Sequence, residues 1–179
     1  GVNQGVPDAY VMDIRQDSIG FLWVTTANGL SRFDGRSFVN YGVAEGISNL
    51  YVNSVMEDRS HRLWITNVKN IMQLKGERFV LYKLGDTTDI NYIYRIRQLA
   101  DGHLWAFTNQ GSFEFDNEHW VLKSIAGEKR GRKCLDILQT KGGAYINFGD
   151  DIMWKPDDQP MQPVWKSARP GFVYFNQMI

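Results

Sequence analysis

Apolar and polar positions along this chain repeat with a long, constant period. The run GFLWVTTANGL at 20–30 returns as HRLWITNVKNI at 61–71, as GHLWAFTNQGS at 102–112 and, eroded, as GGAYINFGDDI at 142–152. Trp23, Trp64, Trp105 and Tyr145 therefore stand 41, 41 and 40 residues apart, the mark of a repeat architecture. Each period opens on a short apolar strand with anchors three apart: Val11 and Ile14, Val52 and Val55, Ile93 and Ile96, Cys134 and Ile137. A tight turn and the aromatic strand follow. A second turn at Gly29, Asn70, Gly111 or Asp151, predicted to be left-handed, leads to a third strand. Asp34-Gly35, Lys75-Gly76 and Asp116-Asn117 then read as hairpin turns into a fourth strand.

Four antiparallel strands per period of about 41 predict β-propeller blades, hence an all-β fold with little or no helix. The units run over 11–41, 52–82, 93–123 and 134–165, in a single partial propeller spanning 1–179. Residues 124–133 are expected to be a connecting loop. Four of the five prolines fall within 155–171, which makes a regular outer strand there doubtful, although Val164 and Trp165 have the character of a short one. Residues 172–179 look like the first strand of a fifth unit. Residues 1–10 are turn-rich, a poor source of a closing outer strand. About four blades and a trailing strand describe an open arc or a fragment of a larger propeller; a closed four-bladed disc is the competing shape. Bare blade faces at the ends of an arc would favour self-association.

Residues 10–41, YVMDIRQDSIGFLWVTTANGLSRFDGRSFVNY, resemble the two-component regulator propeller repeat, and 51–82 resemble a second copy. The marks are the opening Val, the Gln16-Asp17 and Glu57-Asp58 pairs, Leu-Trp, the Thr after it, Gly-Leu and Phe-Asp-Gly. The likeness extends through residue 123. The fourth unit departs, with Tyr145 for Trp, Asp151 for Gly, and Trp154 without counterpart. The resemblance implies a seven-bladed propeller in the periplasmic part of a membrane-anchored receptor, similar to hybrid histidine kinases that respond to glycan fragments or to some diguanylate cyclases. It implies a non-catalytic sensor segment that binds a small polar ligand and signals to an output domain. Neither that domain nor a membrane helix lies in these residues. A scaffold propeller serving interaction or dimerisation is the alternative. WD-type and hemopexin-type propellers fit less well: Gly-His and Trp-Asp pairs do not recur, and the hemopexin type would explain four blades and nothing else.

Composition narrows the field. Twenty Lys and Arg against twenty Asp and Glu leave no net field to recruit nucleic acid or an anionic membrane. No apolar run approaches the roughly 20 residues that span a bilayer, and residues 1–20 hold no signal-like core, so a soluble segment is expected. One cysteine, Cys134, excludes an internal disulfide and reads as a small buried side chain. No nucleophile elbow, phosphate loop or metal motif is present, and no enzyme, cofactor or metal is expected.

The remaining chemistry is weighed position by position. Trp23, Trp64 and Trp105 fit blade packing better than a sugar platform. His61, His103 and His119 read as solvated turn residues, Asp34 and Asp116 as turn-formers, and Asp150-Asp151 as a polar turn. Lys129, Arg130, Arg132 and Lys133 read as a solvated basic loop. Positions 13, 54, 95 and 136 are Asp, Ser, Arg and Asp, a polar ring on the strands that line a propeller's channel. It either meets water and ligand or satisfies itself by an Asp13–Arg95 ion pair. The loops leading into first strands share one face with the second turns. That face is expected to collect Tyr10, Tyr51 and Tyr92 with Asn28, Lys69, Asn70, Asn109 and Gln110, and Asp13 and Arg95 at the channel mouth. Rings with amides suit a polar, sugar-like ligand. Packing of the tyrosines at the blade ends is the alternative. The opposite face, with His61, His103, Asp34 and Asp116, is expected to lack comparable aromatics.

Overall fold

The computed structural model describes residues 2–3, 5–84, 90–125 and 133–166. The chain divides into two compact units, Gly1–Thr87 and Thr88–Ile179. In unit 1, blade one is β2 (Val11–Gln16), β3 (Leu22–Thr26), β4 (Gly29–Phe33) and β5 (Phe38–Tyr41), with β1 (Val2–Asn3) added outside β5. Blade two is β6 (Val52–Glu57), β7 (Leu63–Asn67), β8 (Ile71–Lys75) and β9 (Arg78–Tyr82). In unit 2, blade three is β10 (Ile93–Gln98), β11 (Leu104–Thr108), β12 (Gly111–Phe115) and β13 (Trp120–Leu122). Blade four is β14 (Asp136–Thr140), β15 (Gly143–Asn147), β16 (Asp151–Pro156) and β17 (Gln162–Lys166). Every neighbouring pair is antiparallel and, β1 apart, consecutive in sequence, so each blade is a meander. The fold is all-β; the one helical element among the described residues is a 3-10 turn, Val43–Glu45, between the blades of unit 1. The segment 172–179 lies outside the described residues.

The apolar anchors three apart in the first strands have a structural cause. A strand normally presents every second residue to one face, so a spacing of three needs an extra residue. Bulges supply it between Val11 and Asp13, Val52 and Ser54, and Ile93 and Arg95. Both anchors are buried in blades two, three and four, whereas in blade one Val11 is 43% and Ile14 53% exposed. The core of unit 1 joins Trp23, Leu30 and Tyr41 of blade one to Val52, Val55, Ile65 and Met72 of blade two. In unit 2, Leu99 and Phe107 of blade three meet Cys134, Ile137, Ile146 and Phe148.

The first turn repeats its backbone. Gly20, His61, Gly102 and Gly142 take φ of 99°, 59°, 90° and 92°. His61 thus stands where the other blades use glycine, in a region costing a side-chain-bearing residue roughly 1–2 kcal/mol. At the second turn only Gly29 and Gly111 are left-handed; Asn70 and Asp151 are not, contrary to the sequence expectation. In blade four Gly149 takes that conformation instead. The outer strand of blade four is also fuller than its prolines suggest. β17 pairs with β16 through a bulge and contains Pro163, which an outermost edge accepts because its missing N–H breaks no inner ladder.

Within each unit the blades share a tie. Ser18 N, in the first turn of blade one, donates to Glu57 Oε2 at the end of the next blade's first strand, 2.6 Å away. Ala100 N, two periods on, donates in the same way to Gln139 Oε1.

Candidate functional site

Each tyrosine-bearing loop is bonded to the second turn of its own blade. Ala27 N donates to Tyr10 O (3.2 Å) and Asn109 N to Tyr92 O (3.0 Å). Asn28 Nδ2 reaches Pro7 O (3.5 Å), and Asn70 Nδ2 donates to Ser48 Oγ (3.1 Å) in the loop before Tyr51. Asn109 Oδ1 accepts from Asn91 N and Tyr92 N, and Gln110 O accepts from Lys133 Nζ. Much of the amide chemistry expected to meet a ligand thus braces these loops. Tyr10 is 66% exposed, Lys69 is exposed, and Tyr51 and Tyr92 are half-buried. The Tyr92 ring packs against that of Tyr94 at a tilt of 51°, with centroids 5.3 Å apart. The remaining basic-loop residues Lys129, Arg130 and Arg132 lie outside the described residues.

The polar ring divides. Ser54 is buried and shares a hydrogen bond with Thr66 Oγ1, and Asp136 is buried against Arg97, with bonds of 2.8 and 2.9 Å. Asp13 and Arg95 are half-buried. Asp13 lies 3.6 Å from Arg15 and accepts from Ile14 N, and Arg95 Nε lies 3.9 Å from Asp136. Ser54 and Asp136 therefore pair with neighbouring side chains, and Arg97, which the sequence reading passed over, is the main partner of Asp136.

The Gln-Asp and Glu-Asp pairs of the repeat have a clear job. Asp17 accepts from Ile19 N, Phe21 N and, at 2.8 Å, Trp23 Nε1. Asp58 repeats this with Ser60 N, Arg62 N and Trp64 Nε1, and adds Arg62 Nε at 2.6 Å. One carboxylate thus shapes the first turn and anchors the indole. In blade three the position is Leu99, and Trp105 Nε1 is buried with no partner among the described residues.

At the first-turn end of unit 1 lies a cavity of about 330 Å³ between blades one and two. Asp17, Ser18, Phe21, Trp23 and Arg32 line it from blade one, and Glu57, His61, Leu63 and Leu74 from blade two. This corrects the expectation that the end carrying His61 has no comparable aromatics. Arg32 stands directly across the sheet from Trp23, its guanidinium carbon 4.6 Å from the Phe21 ring centre and 5.9 Å from that of Trp23. The residue opposite the repeat aromatic is Arg32, Gln73, Glu114 or Trp154 in turn, a change of chemistry at one repeat position whose meaning needs the strand register.

The same wall holds a serine, a histidine and a carboxylate. Ser18 Oγ donates to Glu57 Oε1 (2.7 Å), and His61 Nδ1 lies 2.9 Å from both Ser18 Oγ and Glu57 Oε1. A nucleophilic relay needs the imidazole to bridge the two through different nitrogens. Here Nδ1 meets both and the carboxylate holds the serine directly, an arrangement that ties two blades. Burial works against ionisation of Glu57, but the Ser18 and His61 bonds outweigh it and hold its pKa below the ordinary glutamate value. His61 is therefore bonded across blades through Ser18. His103 also has a partner, pairing with Glu114. Among the described residues no group of three or more His, Cys, Asp or Glu could hold a metal, and no helix is long and apolar enough to cross a membrane.

No family model matches the chain. Among curated proteins, "Histidine kinase P4" of Formosa agariphila is 51% identical over 37 residues, which are 21% of this chain and 3% of that protein. Among solved structures, the extracellular domain of the putative hybrid two-component system BT3049 from B. thetaiotaomicron is similar, with a TM-score of 0.68 and 21% identity over 90% of this chain and 25% of that one. The corresponding domain of BT4673 from the same organism gives 0.67 and 17%, over 86% and 23%. PorZ, a surface component of the type-IX secretion system of Porphyromonas gingivalis, gives 0.61 and 16%, over 92% and 28%. The chain spans about a quarter of the length of these structures. The likenesses bear out, at the level of fold, the resemblance to two-component regulator propellers carried by the repeat.

Proposed function

We propose that the chain is a non-catalytic, extracytoplasmic sensor segment of a bacterial two-component-type receptor, within a longer, membrane-anchored protein. The observation that supports this reading most is the fold match to extracellular domains of hybrid two-component systems over nine-tenths of the chain, at a quarter of their length. The exposed Val11 and Ile14 fit such a segment, since a preceding blade of a longer propeller would cover them. In this reading the ligand is small, polar and sugar-like. Within unit 1 it meets the loops carrying Tyr10 and Tyr51, whose rings offer flat apolar contact beside exposed Lys69, and Tyr92 holds the equivalent repeat position in unit 2. Binding there shifts the receptor between signalling states by whatever difference in affinity the two states present.

The test is reporter output of the full receptor against a panel of di- and trisaccharides, with the Tyr51→Phe, Tyr92→Phe double variant alongside. Weakened response at unchanged stability is expected. Unchanged signalling in a variant of wild-type stability would remove these hydroxyls from the site. The likeness to PorZ favours a second reading, a scaffold propeller engaging a protein partner or another copy of itself. That reading predicts no saccharide response, and self-association of the chain by sedimentation at micromolar concentration.

A further inference from the structure

We propose that the cavity between blades one and two binds a small carboxylate with a flat apolar body. The carboxylate would sit on the Arg32 guanidinium and the body against Phe21, Trp23 and Leu63. The reason lies in which charges around the cavity already have partners. The Asp17 carboxylate is engaged by two backbone amides and the Trp23 indole, and Glu57 by Ser18 and His61. Arg32 has no hydrogen bond or ion pair among the described residues, and its Nε is buried and unpartnered. The rings of Phe21 and Trp23 lie against its guanidinium.

In the other blades the residue at the same place has a partner within the protein. Opposite Trp64, Gln73 accepts from Tyr82 Oη at 2.8 Å. Opposite Trp105, Glu114 pairs with Lys123 and His103. Opposite Tyr145, Trp154 packs ring to ring at 4.6 Å. Blade two does place a guanidinium over its tryptophan, but that one is Arg62, and Asp58 holds it. Blade one alone among the described residues sets a guanidinium over aromatics with no carboxylate in hydrogen-bond or ion-pair contact with it. A partly desolvated cation without a partner is costly, and a carboxylate taken in the two-pronged geometry of guanidinium removes that cost. The rings of Phe21 and Trp23 lie 4.6 and 5.9 Å from the guanidinium carbon and supply no hydrogen-bond acceptor or negative charge that would settle its N–H groups. A cavity of about 330 Å³ sits at the small end of ligand sites, and its aromatic and aliphatic lining calls for an apolar body. An inorganic anion would use the guanidinium and waste that lining. The site is separate from the tyrosine end, so it stands or falls independently of the saccharide reading.

The test is a benzoate titration of the nitrogen-15-labelled chain, following the Arg32 Nε–H and Trp23 Nε1–H resonances, with neutral benzamide and inorganic phosphate in parallel. Expected are saturable benzoate shifts at both resonances, with benzamide and phosphate each roughly tenfold weaker or silent. Arg32→Gln, which installs the residue blade two carries there, should abolish benzoate binding while the Trp23 indole resonance keeps its folded position. Arg32→Lys, with charge but no planar fork, should weaken it severalfold. Absence of saturation at tens of millimolar benzoate, equal binding of benzamide, phosphate binding as tightly as benzoate, or unchanged binding in a folded Arg32→Gln chain would each overturn the proposal. If both variants fail to fold, the three-probe comparison on the unaltered chain decides it.

Discussion

Replacing Asp58 by leucine should unfold blade two far more readily than its single charge suggests. The side chain is fully buried and accepts four donors: Ser60 N, Arg62 N, Arg62 Nε and Trp64 Nε1. Trp64 is itself fully buried, so its indole N–H loses its acceptor where water cannot easily substitute, at a cost of about 1–3 kcal/mol. Ser60 is exposed and Arg62 is 28% exposed, so their donors partly rehydrate and add about 1–2 kcal/mol together. A total of about 2–5 kcal/mol follows, and for a unit of this size each kcal/mol lowers Tm by roughly 4–8 °C. The expected fall is therefore roughly 8–40 °C, read from tryptophan fluorescence during heating and from the urea midpoint. Asp58→Asn keeps one acceptor oxygen and should lose about half as much. If Asp58→Leu lies within about 1 kcal/mol of wild type, the carboxylate is not what holds the first turn and indole together. Blade three would then be the rule rather than the exception.

Blade three supplies the converse expectation: Trp64→Phe should cost about 1–2 kcal/mol more than Trp105→Phe, because only the former discards a satisfied buried bond. Urea unfolding of the two variants checks it. Gly46→Ala should destabilise by at least about 2 kcal/mol, since Gly46 sits at φ 96° and a Cβ there would lie 2.4 Å from the Phe79 carbonyl oxygen. The same urea assay reads this. Glu114 titrates below the ordinary 4.5 because the Lys123 bond lowers its pKa, burial opposes, and His103 lowers it further. Its contribution is complete above the unfolded value and is lost as pH falls through the folded one. Glu114→Gln should therefore flatten the drop in urea midpoint between about pH 6 and about pH 3.

The blades were legible because one spacing carried several independent signals at once: the aromatic, the turn residues and the apolar anchors all moved together by 41. The bulges were legible only as an oddity, Val11 and Ile14 three apart, whose meaning needed the register. The Asp17 and Asp58 pairs could be recognised as part of the repeat, but not as indole acceptors, because that depends on where a turn aims a side chain six residues away. The cavity was missed for a different reason. Arg32 is unremarkable in its strand until the residue opposite it, the ring beside it and the prior engagement of Asp17 and Glu57 are known together. His61 reads from the sequence as a solvated turn residue; that its left-handed backbone sets the ring against Ser18 and Glu57 is visible only in three dimensions.

The tie from Ser18 N to Glu57, repeated from Ala100 N to Gln139, bears on how such a chain can be spliced. Its donor is a backbone amide, which any residue but proline supplies, as Ser18 and Ala100 already illustrate. Its acceptor is a long carboxylate or amide side chain at one fixed place in the following repeat. Recombination that inserts or removes a whole period is therefore nearly indifferent to what comes upstream and selective about what comes downstream. A shuffled array of these blades should inherit its tolerance from donors and its compatibility rules from acceptors.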